Sequence, residues 1–236
     1  MSQTIQFTID GVEVTGQAGQ TIMAAADAAG IYIPRLCFLK GLSPYGACRV
    51  CTVMVNGRPQ TACTQPIAND MVVENDTAAL LEVRRSIVEM LYVEGNHFCM
   101  FCEVSGKCEL QALGYRFKMM VPKYPFQYPN REIDASHPDL FIDRSRCVLC
   151  ARCIRSSKEL DGKNAYGFVG RGLKKKIAFN SAAGLGDTDA SVTDKAAEAC
   201  PVGTILKKDT AFRVPYGQRK YDSTPIGSEI EATKPQ

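Results

Sequence analysis

The eleven cysteines of this chain fall into three spaced groups, and thiolates are strong ligands for iron and zinc. The first group is C-x10-C-x2-C-x11-C, the middle group has three cysteines preceded by a histidine, and the third is C-x2-C-x2-C before a distant Cys-Pro pair. In that order the members are Cys37, Cys48, Cys51 and Cys63; His97, Cys99, Cys102 and Cys108; and Cys147, Cys150, Cys153 and Cys200. No cysteine lies outside these groups. The pattern predicts three iron-sulfur clusters and a role in electron transfer.

Disulfides and zinc are the competing uses of these cysteines. Disulfides need an oxidising compartment, but the start "MSQTIQFTID" lacks the basic and apolar segments of a secretory signal, and an odd count leaves one thiol unpaired. Zinc is the stronger alternative, because tetrahedral zinc sites also use C-x2-C pairs. Zinc sites usually combine two separated pairs, whereas three cysteines at successive x2 spacings before a distant Cys-Pro are typical of iron-sulfur proteins. The spacing therefore favours clusters.

The middle group lacks a fourth thiolate. His97 is the best candidate for the fourth ligand, because imidazole binds iron and the residue lies two positions before Cys99. In the alternative, His97 only caps or hydrogen bonds, and water, Glu103 or another residue completes the site. His137 lies in "ASHPD" and is predicted to be a turn residue.

The spacing also indicates the cluster types. One adjacent pair with two wide gaps suits a 2Fe-2S cluster on a β-sheet scaffold, and the third group suits a 4Fe-4S cluster. In two-cluster bacterial ferredoxins a further cysteine follows the third by four positions and binds the other cluster. Here that position is Ser157, so Cys200 is expected to close the same site. The prediction is one 2Fe-2S and two 4Fe-4S clusters.

Two hairpins and a helix are predicted to position the first group. Residues 4–14 alternate around an Asp-Gly turn, and "TIMAAADAAG" predicts a short helix. An Asn-Gly turn at residues 56–57 predicts a second hairpin, which brings Cys51 and Cys63 together. In the preceding loop, Gly41 and Gly46 allow the backbone to wrap tightly around a cluster.

Helical periodicity is predicted next to the middle group. Apolar residues recur at helical spacing between Thr77 and Glu94, and a helix is expected to resume after Cys108. A segment rich in proline and aromatic residues then indicates a linker. The final residues resemble a tail that is either disordered or a clasp on a partner. The predicted divisions are a 2Fe-2S domain at 1–76, a helical domain at 77–120, a linker at 121–137, a third domain at 138–210 and a tail at 211–236.

Composition limits the remaining functions. A net charge of +3 over 236 residues does not indicate nucleic-acid binding, and no apolar run approaches the roughly 18 residues of a membrane span. We expect a cytoplasmic protein, since that compartment keeps thiols reduced. No G-x-G-x-x-G, P-loop or nucleophile elbow is present, so no residues for NAD, FMN or a substrate are expected in this chain.

The motifs "IPRLC", "LSPYGACRVC" and "CELQ", together with the three groups, resemble a known family over residues 1 to about 210. They are similar to the N-terminal region of the large peripheral-arm subunit of respiratory complex I, to the N-terminus of iron-only hydrogenases and to the diaphorase-side iron-sulfur (gamma) subunit of soluble NAD-linked nickel-iron hydrogenases. One residue separates His97 from Cys99, where complex I usually has three, and the chain ends soon after its third group. Both features favour the hydrogenase subunits.

The resemblance implies an α+β chain with a ubiquitin-like β-grasp 2Fe-2S domain, a helical domain whose 4Fe-4S cluster has one histidine and three cysteine ligands, and a bacterial-ferredoxin-like 4Fe-4S domain. It also implies partners: a flavin subunit that binds FMN and NAD, and hydrogenase small and large subunits that hold a Ni-Fe centre. The chain would then relay electrons within an NAD-linked hydrogen dehydrogenase. The alternatives are the equivalent subunit of a formate dehydrogenase or of complex I, or a zinc scaffold without redox function.

Overall fold

The structure is a computed structural model, and it describes residues 3–233. The first domain forms a mixed sheet in the order β2-β1-β5-β3-β4, in which β1 and β5 are parallel and the other neighbours antiparallel. Its helix packs buried alanine and isoleucine side chains onto the sheet. The elements are β1 (Thr4–Ile9), β2 (Val12–Gln17), α1 (Ile22–Ala28), β3 (Thr52–Val55), β4 (Arg58–Thr61) and β5 (Val72–Glu74). This topology agrees with the β-grasp expectation.

Local signals produce the turns of this domain. Asn56 and Gly57 adopt positive φ values of 47° and 77°, as the primed hairpin turn requires. In the register that follows, Val55 pairs with Arg58, and beyond the strands the Ala62 N–H donates to the Cys51 carbonyl at 3.1 Å. Cys51 and Cys63 therefore lie together at the open end of the β3–β4 hairpin.

The middle domain consists of α2 (Ala78–Val93) and α3 (Glu109–Arg116), joined by the loop that carries the middle cysteine group. The Thr77 hydroxyl caps α2 by accepting the Leu80 N–H at 3.2 Å, at the predicted start. The buried core of this domain continues into both neighbours and includes Leu36 and Val202. Within residues 3–233, no helix combines the length and apolar character needed to cross a bilayer.

The third domain contains a sheet in the order β10-β7-β6, a β8–β9 hairpin and two helices. Its strand β6 lies inside the predicted linker, where Ile133 pairs with Asp143 of β7, so the end of that linker joins the sheet. The elements are β6 (Ile133–Asp134), β7 (Leu140–Asp143), α4 (Arg152–Glu159), β8 (Tyr166–Val169), β9 (Lys176–Phe179), α5 (Lys195–Glu198) and β10 (Ile205–Lys207).

The described part of the predicted tail packs on its own chain. The Tyr221 N–H donates to the Gly106 carbonyl at 2.8 Å, and Arg116 donates to the Ile226 carbonyl at 2.8 Å. A short helix, α6 (Ser228–Glu231), follows, and Glu231 forms an ion pair with Arg116. The described residues leave out two parts of the predicted divisions, namely residues 1–2 of the first domain and residues 234–236 of the tail.

Candidate iron-sulfur sites

A glycine-bearing loop and the β3–β4 hairpin supply the first cysteine group. The loop reverses at Gly41 and Gly46, whose φ values of 92° and 70° favour glycine. The Cys37 N–H donates to the Cys48 sulfur at 3.4 Å, which closes the loop on itself. The hairpin end then adds the other two cysteines.

The four thiols of the first group interact with one another. Hydrogen bonding from the thiols of Cys48 and Cys63 lowers the pKa of Cys37, and the backbone N–H groups of Cys48 and Ala47 lower it further. The Cys51 thiol also bonds to Cys63, which lowers the pKa of Cys51 to about 7. The same hydrogen bonds, together with burial, raise the pKa of Cys48 and Cys63, so two of the four thiols are stabilised as thiolates. Four thiols in mutual contact fit the donor set of a 2Fe-2S cluster.

The middle group surrounds one small cavity. It is lined by His97, Cys99, Cys102 and Cys108, together with Gly203 from the third domain. Two helix ends place these residues, because the histidine follows α2 and Cys108 immediately precedes α3. The structure thus brings the three predicted thiols and the predicted imidazole to a single cavity.

The two histidines differ in their hydrogen bonding. The Nε2 atom of His97 is buried and, among the described residues, has no hydrogen-bond partner. Burial, assisted by the positive charge of Arg146, lowers the pKa of His97 to about 4, so the imidazole is neutral at pH 7 and has a lone pair for a metal. His137 instead accepts the Asp139 N–H at 3.0 Å and contacts the Ala190 carbonyl at 3.1 Å. Of the two, His97 is therefore the one that fits the role of a metal ligand. His137 holds a turn, as predicted.

The third group lines a second small cavity, which contains all four of its cysteines. Leu149 and Ala151, which flank Cys150, have left-handed φ values of 51° and 57° although neither is glycine. This curvature turns backbone N–H groups toward the thiols of Cys147 and Cys150. Burial raises the pKa of Cys147 to about 11 and that of Cys150 to about 12, so a positive iron core is what would favour their thiolates.

Ser157 takes no part in this site. Its side chain is buried, and its hydroxyl oxygen accepts the Ala165 N–H at 3.2 Å. Cys200 lines the same cavity as the other three cysteines of its group. Among the described residues, no three His, Cys, Asp or Glu side chains converge on a position for a single metal ion.

Two arginines of α4, which the sequence analysis did not single out, connect the three groups. Arg152 makes two contacts of 2.7 Å with the Glu109 carboxylate and donates to the Phe38 carbonyl at 2.7 Å. Arg155 donates to the Cys37 carbonyl at 2.6 Å and to the carbonyl of Ser43. Their position in "CARCIR" could have indicated this role, because both arginines lie next to cysteines of the third group, where negative charge would accumulate on thiolates.

Three family models match the chain in the order expected from its cysteine groups. A 2Fe-2S iron-sulfur cluster binding domain matches residues 2–78, and the NADH-ubiquinone oxidoreductase-G iron-sulfur binding region matches residues 84–122. The ferredoxin-like domain of NADH-quinone oxidoreductase subunit 3 matches residues 138–206. Each match contains one cysteine group.

The relatives that match most of this chain are of two kinds, which differ in how much of their own length the match covers. The gamma subunit of the NAD-reducing hydrogenase HoxS of Cupriavidus necator is 38% identical over 93% of this chain and 94% of its own length. The alpha subunit of the NADPH-Fe(3+) oxidoreductase of Geobacter sulfurreducens is 35% identical over 89% of this chain, but over 25% of its own length. The 78 kDa subunit of the mitochondrial NADH-ubiquinone oxidoreductase of Candida albicans is 30% identical over 96% of this chain and 32% of its own length.

A solved structure agrees with the first of these relatives. A chain from the crystal structure of an NAD+-reducing NiFe-hydrogenase in the H2-reduced state superimposes with a TM-score of 0.92 and 43% identity, over 96% of this chain and 98% of that one. Sequence and fold therefore show that this chain belongs to the family of iron-sulfur gamma subunits of NAD-reducing hydrogenases.

Proposed function

We propose that this chain relays single electrons between a flavin subunit that binds NAD(H) and a nickel-iron hydrogenase module, in the cytoplasm. The observation that carries the proposal is the convergence of each predicted ligand set, with two of the sets lining cavities of their own. The orphaned imidazole nitrogen of His97 adds support, because a buried polar atom without a partner is costly unless something binds it.

We assign the ligands by group. Cys37, Cys48, Cys51 and Cys63 would hold a 2Fe-2S cluster; His97, Cys99, Cys102 and Cys108 a 4Fe-4S cluster; and Cys147, Cys150, Cys153 and Cys200 a second 4Fe-4S cluster. When bound, these clusters supply one-electron chemistry. The chain contributes the thiolates and the imidazole, the backbone N–H groups that face them, and the apolar shell that keeps water away.

Hydrogen bonds between the groups favour a relay, in which the three sites are connected, rather than three separate sites. The Glu109 N–H donates to the Pro201 carbonyl at 2.9 Å, which joins the residue after Cys108 to the residue after Cys200. Arg155 joins the Cys37 carbonyl to the third group in the same way. Every group is therefore connected to another by a hydrogen bond.

The partners follow from the family. The chain itself has no predicted site for NAD, FMN or nickel, so a flavin subunit and the hydrogenase small and large subunits would hold them. The sequence identities favour this assignment over a complex I-type subunit, because the chain is 38% identical to the hydrogenase gamma subunit and 30% identical to the Candida albicans subunit.

The test is metal analysis of the native complex, purified without oxygen through a tag on this chain. We expect nickel together with iron and acid-labile sulfide, and about ten of the irons should depend on this chain's ligands. A Cys48→Ser variant should lose the 2Fe-2S signal in electron paramagnetic resonance and leave the 4Fe-4S signals. Molybdenum or tungsten would reassign the chain to a formate dehydrogenase, iron alone to a complex I relative, and zinc without iron would refute electron transfer.

A further inference from the structure

We infer that Arg146, a residue of the third domain, raises the reduction potential of the middle cluster by donating to the sulfur of Cys102, and that Glu103 opposes it. The inference rests on the proposed function, because it takes the middle group to hold a cluster. It gives the third domain direct control over the redox chemistry of its neighbour.

The contact crosses the boundary between the two domains. Arg146 directly precedes the first cysteine of the third group, yet its Nη1 atom lies 3.8 Å from the sulfur of Cys102. The same atom contacts the Glu103 carboxylate at 2.5 Å, and the Nε atom contacts Asp143 at 2.8 Å. Two carboxylates therefore hold the guanidinium, whose side chain is 18% exposed, against the thiol.

Gly203 makes room for this contact. A Cβ atom at that position would lie 3.1 Å from Nη1 of Arg146 and 3.2 Å from the sulfur of Cys102. Gly203 also lines the cavity of the middle group. The backbone of the third domain thus approaches the sulfur closely where the arginine reaches it, and any side chain there would crowd both groups.

Charge determines the direction of the effect. When an electron leaves a reduced neighbouring cluster and arrives at the middle one, negative charge increases there, with no bond formed and no proton transferred. A positive donor at a ligand sulfur favours that reduced state, and a carboxylate beside the same ligand disfavours it.

The test is a redox titration of the purified complex, followed by electron paramagnetic resonance. A Cys99→Ala variant identifies the signal of the middle cluster by its loss. In Arg146→Met, the ratio of reduced to oxidised middle cluster at a fixed potential should fall about tenfold, a shift of about 59 mV for a one-electron couple. In Glu103→Gln the ratio should rise. Arg146→Lys keeps the charge without the planar donor, so its ratio of reduced to oxidised cluster should lie between those of Arg146→Met and the unmodified protein.

The matched control is Arg116→Met. Arg116 also pairs with a glutamate of this chain, but it lies at the far end of α3, about 10 Å along the helix from Glu109. Its substitution should leave the potential of the middle cluster unchanged.

Opposite shifts in Arg146→Met and Glu103→Gln support the inference, since general loosening of the site would move both in the same direction. Unchanged potentials, or shifts of the same sign, overturn it. If Arg146→Met loses the signal altogether, the direction in Glu103→Gln decides. A complex that lacks a middle-cluster signal before any substitution contradicts the proposed function itself, and the inference with it.

Discussion

Arg152 and Glu109 form a two-pronged ion pair with both N–O distances at 2.7 Å, and the arginine also donates to the Phe38 carbonyl. Each of these three residues is adjacent in sequence to a cysteine of a different group. The Arg152 side chain is 3% exposed, so the ion pair is screened little by water. One guanidinium therefore connects the loops of all three sites.

Replacing this arginine should destabilise the chain. In Arg152→Gln the Glu109 carboxylate and the Phe38 carbonyl lose their donor, and breaking a buried pair on one side costs about 3–5 kcal/mol. The measurement is the urea concentration at which cluster absorbance is lost. The control is Lys176→Gln. Its partner Glu132 is 72% exposed, so water screens the pair and this substitution should shift the midpoint much less. Equal effects of the two variants would show that the Arg152 pair contributes no more than a surface pair.

The two histidines should behave differently when each becomes alanine. We expect His97→Ala to lose about four irons per chain and one 4Fe-4S signal, because the middle group then lacks its fourth ligand. His137→Ala should keep its iron and lose about 1–3 kcal/mol of stability, because its hydrogen bonds hold a turn. Iron and sulfide analysis with electron paramagnetic resonance measures both. Full iron content and an unchanged spectrum in His97→Ala would rule out ligation.

A methyl group at position 203 should disturb the middle group selectively. The new Cβ atom of Gly203→Ala would lie 3.2 Å from the Cys102 sulfur, so the sulfur or the backbone must move. We expect an altered middle-cluster signal and an unchanged third-cluster signal. In Gly167→Ala, where a Cβ meets no atom within 4 Å, both signals should persist. A normal spectrum in Gly203→Ala would show that the close approach is unimportant.

The attachment of the tail should depend on one isoleucine. Ile226 is 5% exposed and belongs to the core shared by the domains, whereas Val214 is 53% exposed. A carboxylate loses its hydration in this apolar core, so Ile226→Asp should cost more than about 2 kcal/mol and make the tail susceptible to proteolysis. Val214→Asp should change stability by about 0.5 kcal/mol or less. Limited proteolysis and urea unfolding compare the two, and equal protection of both tails would contradict this attachment.

Features determined by adjacent residues were predictable from sequence. The Asn-Gly turn at 56–57 sets the register of its hairpin, and Thr21 and Thr77 cap the helices that they precede. Each feature depends on the side chain or backbone freedom of one or two residues, so no knowledge of the fold is needed. The C-x2-C spacings were informative for the same reason, since neighbouring ligands of one cluster lie close together in the sequence.

Features that depend on the assembled fold were not predictable. Leu149 and Ala151 adopt left-handed backbone conformations without being glycine, because four cysteines must face one cavity. Arg84 looks like a surface residue of a helix, yet it is 1% exposed and donates to the carbonyls of Thr52 and Asn75. The contact with Thr52 joins residues 32 positions apart, so it leaves no local pattern in the sequence.

The two arginines of α4 also make the loops of the other groups depend on the third group. Oxidation that removes iron from the third group would loosen the start of α4, where Arg152 and Arg155 lie, and both arginines support loops of the other groups. Water and oxygen would then reach thiolates that were previously shielded. Loss of the third group would therefore weaken the loops of the other two groups as well.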